Sequence, residues 1–363
     1  MELNIEITLN THSRINEVNF EQLGFGKYFT DHLFVAEYKD KTWHTPKIIP
    51  FQDLHLHPAL SALHYGQSIF EGMKAFKYAD GSSVLFRPEK NWERMNASAY
   101  RLCMPQIPKD IFVEGLKIFV DIERNWIPFK EGESLYLRPL FFATDGFLGV
   151  KPSDEYMFLI MASPVAKYYT KPIKILAQKQ YVRAVRGGVG AAKAAGNYAG
   201  SLLATQEAKK QGYDQILWLD AINLSYTEES GTMNLFFVID NEVYTAPATP
   251  DGTILMGVTR DSVITLLKSW GYKVHEVALS MQEIMRASQE NKFQEVFGTG
   301  TAASIAPVCG IGFEGNEIIP QYHNGYRQVA QKLYENLVGI QRGTITDPFN
   351  WVVRVPEYAY YNQ

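Results

Sequence analysis

The chain has 363 residues, enough for two domains with sizeable cores, and its 46% apolar and 20% charged residues are ordinary for a globular protein. A formal net charge of −4, with no local cluster of Lys and Arg, supplies no basic field for nucleic acid, so no nucleic-acid partner is expected. No apolar run approaches the roughly 20 residues that cross a bilayer, which argues against a membrane partner. The start of the chain carries Glu2 and Glu6 and lacks both a signal-peptide core and an Arg-rich transit pattern. Cys103 and Cys309 stand far apart, outside any CxxC spacing. A cytoplasmic, reducing location is the expectation.

In chain order, alternating and short apolar runs predict a strand at HLFVAEY (32–38) and another at SVLFRP (83–88). RPEKNWERMNASAYRL (87–102) follows as a helix carrying Arg94. In 109–124, Ile111, Gly115, Ile118, Phe119 and Ile122 form one helical face, with Glu114, Lys117, Asp121 and Arg124 mostly opposite. Strands are predicted at SLYLRPLFFAT (134–144), YMFLIMASPV (156–165), IKILAQ (173–178), QILWLD (215–220), NLFFVI (234–239) and EVYTAP (242–247). LMGVTRDSVITLLKSWG (255–271) reads as a turn leading into a helix. In 326–338, Tyr326, Val329, Ala330, Leu333, Tyr334 and Leu337 mark an amphipathic helix. The strands cluster instead of alternating strictly with helices, which points to α+β domains. The polar, basic stretch around Pro172 marks an interdomain connection at 167–180, giving domains at 1–166 and 181–363.

GGVGAAKAAGNYAG (187–200) sets one lysine, Lys193, among glycines and alanines. A dinucleotide fingerprint would need Gly or Ala at 193, and a P-loop would need Gly-Lys-Ser/Thr where Ala192 and Ala194 flank the lysine. Two readings remain at this point: a solvated loop, or a lysine held for chemistry. The stretch contains no Ser, Asp, Glu or Pro, unlike an ordinary exposed loop. Small neighbours let a flat ligand approach the backbone, and lost hydration favours the neutral amine that forms Schiff bases.

Pyridoxal phosphate needs a lysine for its aldehyde, an acid for its ring nitrogen, donors for its phosphate, and a wall for its ring. Each has a candidate. Glu229 stands at a Gly-containing turn before a strand in TEESGTMNLFFVI (227–239), and Tyr198 follows the lysine by five residues. Thr259 opens the 255–271 helix, whose N-terminus can bind phosphate, and FGTGTAASIAPV (297–308) is a second Gly/Thr turn. Arg94 is a candidate phosphate clamp. Taken singly, these features also read as a turn carboxylate, a tight turn and a solvated arginine. In SLYLRPLFF, period two puts Tyr136 and Arg138 on one strand face, opposite Leu135 and Leu137. His55, His57 and His64 in HLHPALSALH lack nearby Cys and HExxH spacing, so they read as structural and no metal site is expected.

GGVGAAKAAGNYAG, EESGTMNLF, GVTRDS and GTGTAA, in that order, resemble the branched-chain amino acid aminotransferases, pyridoxal-phosphate enzymes of fold type IV. FGKYFTDH, HYGQSIFEGMKAFKY, NWERM, LYLRPLFFATDGFLGV and SPVAKYY extend the resemblance over nearly the whole chain, which is most similar to the family's longer form, to which the eukaryotic enzymes belong. The resemblance implies an α+β fold with a small N-terminal α/β domain, a larger C-terminal domain with a β-barrel-like core, and the cofactor between them. It implies that Lys193 bonds to pyridoxal 5'-phosphate, that Tyr198 lies near the cofactor's O3', and that Glu229 partners the pyridine nitrogen. Arg94, the Val258–Thr259 turn and Thr301 match phosphate anchors, and Arg183 matches an arginine lining the cofactor site. Thr232 and Ala302 match the turns that receive the substrate carboxylate. Phe25, Tyr65, Phe70 and Tyr136 match the wall of the side-chain pocket. Leu148 and Val150 match residues lent by a neighbouring subunit, which implies a homodimer.

The implied reaction is transamination of leucine, isoleucine and valine with 2-oxoglutarate, giving branched 2-oxo acids and glutamate. D-amino acid aminotransferase and aminodeoxychorismate lyase are the nearest alternatives within the fold, and a non-catalytic phosphate-ligand binding module is the alternative outside it. One departure stands out: Ala303 and Ala306 occupy the positions where mammalian members of the family carry a redox CxxC pair, so no thiol switch is expected there.

Overall fold

The computed structural model of the chain describes residues 3–322 and 328–358. The chain divides into two compact units. One gathers the residues up to Tyr168, the short stretch Lys193–Ala195 and the chain from Gly339 onward; the other comprises Tyr169–Ala192 and Gly196–Val338.

The first unit is built on one sheet. Its labelled strands are β1 (His32–Lys39), β2 (Lys47–Pro50), β3 (Ser68–Phe70), β4 (Met73–Lys77), β5 (Ser83–Phe86), β6 (Ser134–Ala143) and β7 (Tyr156–Val165). The path across the sheet runs β2-β1-β7-β6-β4-β5, with Glu6–Ile7 beyond β2, Val352–Arg354 beyond β5, and β3 also pairing with β6. β6 and β7 pair antiparallel over ten residues each, from Ser134 opposite Val165 to Ala143 opposite Tyr156. Both read as near-continuous apolar runs because both lie buried in the middle of the sheet. Two longer helices, α1 (Pro88–Arg101) and α2 (Gly115–Ile122), belong to this unit. The expected 109–124 helix is a wide π-type turn over Asp110–Glu114 that runs into α2, and Phe112 stacks on Phe158 with ring centroids 5.6 Å apart. Asp121, expected on the polar face, is buried. Its carboxylate accepts hydrogen bonds from Arg124 and from the backbone N–H of Tyr358, which satisfies the charge without water.

The second unit is a closed ring of strands. β8 (Ile173–Ala177), β9 (Gln215–Leu219), β10 (Thr227–Ser230), β11 (Met233–Ile239), β12 (Phe293–Gly300) and β13 (Ser304–Phe313) run β10-β9-β8-β13-β12-β11, and β11 pairs back to β10. β8 is parallel to both of its neighbours, and the other ring pairs are antiparallel. Closure removes the sheet edges and encloses a core that includes Ile175, Leu217, Leu235, Phe237 and Ile311. The β10–β11 hairpin closes through Gly231 at φ +55°, where a Cβ would collide with Gln215 Oε1. Two longer helices, α3 (Val258–Ser269) and α4 (Val329–Arg342), follow.

Three expectations differ from this arrangement. The stretch 167–180 contains the barrel strand β8, so it is not wholly a connection. Residues from Gly339 onward count with the first unit, because Val352–Arg354 pairs antiparallel with β5 and completes that sheet. The helix expected over 326–338 begins at Val329 and continues to Arg342; Tyr326 lies outside the described residues. Among the described residues no helix is long and apolar enough to cross a membrane.

Candidate active site

Lys193 is held by its backbone within the first unit. Its N–H donates to Ser98 Oγ on α1 at 2.9 Å, and its carbonyl accepts from Phe70 N on β3 at 3.1 Å. Ala194 bridges to Ile69 beside it. The side chain is less bare than the sequence suggests: Lys193 Nζ lies 4.7 Å from the centroid of the Phe70 ring, and its charge acts on Glu71. Arg138 Cζ lies 4.6 Å from the centroid of the same ring, and its Nη2 donates to Tyr136 Oη at 3.0 Å. Phe25 packs edge-on to Tyr136 with centroids 4.9 Å apart. Phe25, Phe70, Tyr136, Arg138 and Lys193 are thus brought together.

Arg94, a candidate phosphate ligand, makes a bidentate pair with the fully buried carboxylate of Glu71. Tyr65 stands in a second group, donating its hydroxyl to the carbonyl of Leu148. Leu148 and Val150 are exposed, Val150 to 85%. His55, His57 and His64 are exposed, and among the described residues no group of three His, Cys, Asp or Glu could hold a metal ion.

In the second unit, a cleft is lined by Arg183, Tyr198, Ser201, Glu229, Thr232 and Leu255, among others. Glu229, 4% exposed, carries three donors. Asn234 Nδ2 at 3.0 Å and Leu255 N at 2.7 Å both reach its Oε1, while Arg183 Nη2 reaches Oε2 at 2.7 Å. Arg183 Nη2 also donates to the carbonyl of Gly190 at 2.9 Å. An acceptor-only carboxylate uses all of these donors, so its position is closely fixed.

Asn234 links Glu229 to the remaining candidates. It pairs in register with Thr299, two residues before Thr301 and three before Ala302 in the β12–β13 turn. A Cβ on Gly257 would collide with Asn234 Oδ1, so a side chain here would displace the amide that holds Glu229. Val258 and Thr259 then form the first turn of that helix, whose N–H groups suit an anion. Beside Glu229, Glu228 accepts a hydrogen bond from Thr253, and burial pushes its carboxyl up to about 7.

These features fit a flat, phosphate-bearing pyridine: a cleft walled by Tyr198, a fixed carboxylate for a ring nitrogen, and a helix N-terminus for an anion. Arg183 Nε and Thr299 Oγ1 are also buried without a hydrogen-bond partner among the described residues. Sequence reasoning missed Glu71, Ser98, Asn234 and Glu228. Two of them had a visible signal. Glu71 is a charge in the apolar run SIFEGMKAF, and Asn234 is a polar residue heading NLFFVI.

Residues 68–311 match the amino-transferase class IV family. The chain is 50% identical over 345 residues, covering 94% of this chain and 95% of the other, to a probable branched-chain-amino-acid aminotransferase of Staphylococcus aureus strain N315. It resembles the crystal structure of the Escherichia coli branched-chain amino acid aminotransferase with a TM-score of 0.74 at 29% identity, covering 90% of this chain and 99% of that one. A T.th. branched-chain amino acid aminotransferase with pyridoxamine 5'-phosphate matches with a TM-score of 0.72 at 28% identity, covering 92% and 99%.

Proposed function

The chain belongs to the class IV aminotransferase family, and from that premise we propose that it transfers the amino group of leucine, isoleucine or valine to 2-oxoglutarate with pyridoxal 5'-phosphate as cofactor. The observation that carries the reading is half-identity to a probable branched-chain-amino-acid aminotransferase over nearly the full length of both chains.

When bound, the cofactor supplies an aldehyde that takes up amino groups and a ring that accepts the electron pair left at the substrate Cα. Lys193 Nζ would hold the aldehyde at rest and, once released by an incoming amine, take the proton from Cα and deliver it to the cofactor side. Glu229 Oε2 would hold the proton on the ring nitrogen through a charge-assisted hydrogen bond. Tyr198 and Arg183 would line the ring. Arg94, the Val258–Thr259 turn and Thr301 would hold the phosphate, and Thr232 and Ala302 would take the substrate carboxylate. Phe25, Phe70, Tyr65 and Tyr136 would exclude water from the substrate side chain, with Arg138 available to a distal carboxylate. The exposed apolar Leu148 and Val150 suit a subunit interface, which supports a homodimer in which each chain lends them to its partner. A cytoplasmic location accompanies this reading.

The test is a panel of amino donors with 2-oxoglutarate, including both enantiomers of leucine. Glutamate formed from the L-branched donors, on a yellow protein that borohydride fixes at Lys193, is the expected result. Turnover confined to D-amino acids, or normal activity in Lys193→Ala, overturns the assignment.

A further inference from the structure

Glu228 and Glu229 are neighbours on β10, and each holds one residue of the same segment before α3. Thr253 Oγ1 donates to Glu228 Oε1, and Leu255 N donates to Glu229 Oε1. Glu229 Oε1 also takes Asn234, which leaves Oε2 to meet a ring nitrogen. Arg183 Nη2 occupies that oxygen. Among the described residues, buried Glu228 Oε2 and buried Arg183 Nε have no hydrogen-bond partner, and the Arg183 charge acts on the Glu228 carboxyl.

We propose that Glu228 is a positioning residue that receives the Arg183 guanidinium when Glu229 Oε2 turns from Arg183 to the cofactor's ring nitrogen. Without it, the displaced guanidinium would be a buried cation with no counter-ion. With it, one carboxylate serves each cation. This rests on the role proposed above for Glu229.

The exchange carries a proton. Burial raises the Glu228 carboxyl to about 7; the Thr253 hydrogen bond and the Arg183 charge pull it down, while Glu229 and Asp220 push it up. Below that value Glu228 is neutral and must release its proton to solvent before it can pair with Arg183. Above it, the carboxylate is ready. Cofactor affinity therefore gains from Glu228 as pH rises through about 7.

The test titrates the cofactor-free chain with pyridoxal 5'-phosphate and reads the dissociation constant by absorbance, for the wild type, Glu228→Gln and Glu229→Gln. Ionisations of the free cofactor are common to all three. The glutamine side chain keeps an acceptor for Thr253 but never becomes an anion. From about pH 6 to about pH 8, the affinity advantage of the wild type over E228Q should grow roughly tenfold. A crystal structure with the cofactor should show Arg183 hydrogen-bonded to Glu228 Oε2. A pH-independent ratio, or Arg183 still on Glu229 Oε2 in the loaded protein, overturns the handover. If bound cofactor in E229Q absorbs as in the wild type, the reading of Glu229 falls and the handover with it. If E229Q shifts the spectrum while E228Q tracks the wild type at both pH values, the handover alone falls.

Discussion

Arg94 grips Glu71 through two parallel hydrogen bonds, Nε to Oε1 at 2.7 Å and Nη2 to Oε2 at 2.8 Å. The pair is more than a local ornament of α1. It holds a guanidinium that sequence resemblance assigns to phosphate, and it leaves the cation in place only while the anion is there.

Burial works to raise the Glu71 carboxyl, but Arg94, Lys193 and Asn91 outweigh it and hold it below the ordinary 4.5. A depressed value in the folded state means that the stabilisation is complete above the unfolded value and is lost as pH falls through the folded one. Glu71→Gln should therefore be less stable than the wild type at neutral pH by roughly 3–5 kcal/mol, because the guanidinium loses its counter-ion in a buried site. The gap should narrow on acidification below 4.5. Urea unfolding at a series of pH values measures both, and parallel stability curves for the two chains would refute the assignment of this acid sensitivity to Glu71.

Glu295 caps a helix from a distance. From β12 it accepts the backbone N–H groups of Gln328 and Val329 on Oε1 and of Ala330 on Oε2, all at 2.8–2.9 Å. It is buried, so Glu295→Gln replaces an acceptor with an amide donor facing a backbone donor, with no water to relieve the clash. The expected loss is about 1–3 kcal/mol in equilibrium unfolding. An exposed helix carboxylate such as Glu335 provides the control, and an equal small effect at both sites would count against the cap.

That cap shows where the sequence stops being legible. The 3.6-residue periodicity of Val329, Ala330, Leu333 and Leu337 announces the helix, and all four are buried. What begins the helix lies 33 to 35 residues earlier on a strand, where no local pattern can point. The active-site candidates follow the same rule. Lys193 and Glu229 stand out because each sits in a run whose composition is odd for a loop or a strand. Asn234 shows only as a polar residue heading NLFFVI, and Ser98 and Leu255 do not show at all, since each acts through a contact that exists only once the chain has folded. Clustered strands predict α+β, but ring closure depends on β10 meeting β11 on one side and β9 on the other. The return of Val352–Arg354 to β5 is likewise a contact between distant stretches with no composition signal.

Ala303 and Ala306, both buried, leave no thiol in the turn after Thr301 or at its exit. Cys309 Sγ points to the carbonyl of Ile173, and Cys103 lies in the other unit. Mild peroxide should therefore cause no inactivation that dithiothreitol reverses. A loss of activity that dithiothreitol does not reverse and that survives in the double variant Cys103→Ser/Cys309→Ser would point to methionine oxidation; a reversible loss abolished by that variant would contradict the prediction.

Arg138 offers the sharpest separation between the two kinds of substrate. Its guanidinium lies over the Phe70 ring and donates to Tyr136, while its Nε is buried without a partner among the described residues. An aliphatic side chain gains from the rings of Phe25, Phe70 and Tyr136 and asks nothing of Arg138. A distal carboxylate needs the cation, because burying an anion against aromatic rings alone forfeits its hydration. Arg138→Met keeps the bulk and removes the charge. The KM for 2-oxoglutarate should rise roughly 10- to 100-fold, the worth of a lost charge-assisted hydrogen bond, while that for leucine changes by no more than about threefold. Steady-state kinetics with each substrate varied in turn separates the outcomes. Equal losses for both would mean that Arg138 shapes the pocket through Tyr136 and Phe70 instead of meeting the carboxylate itself.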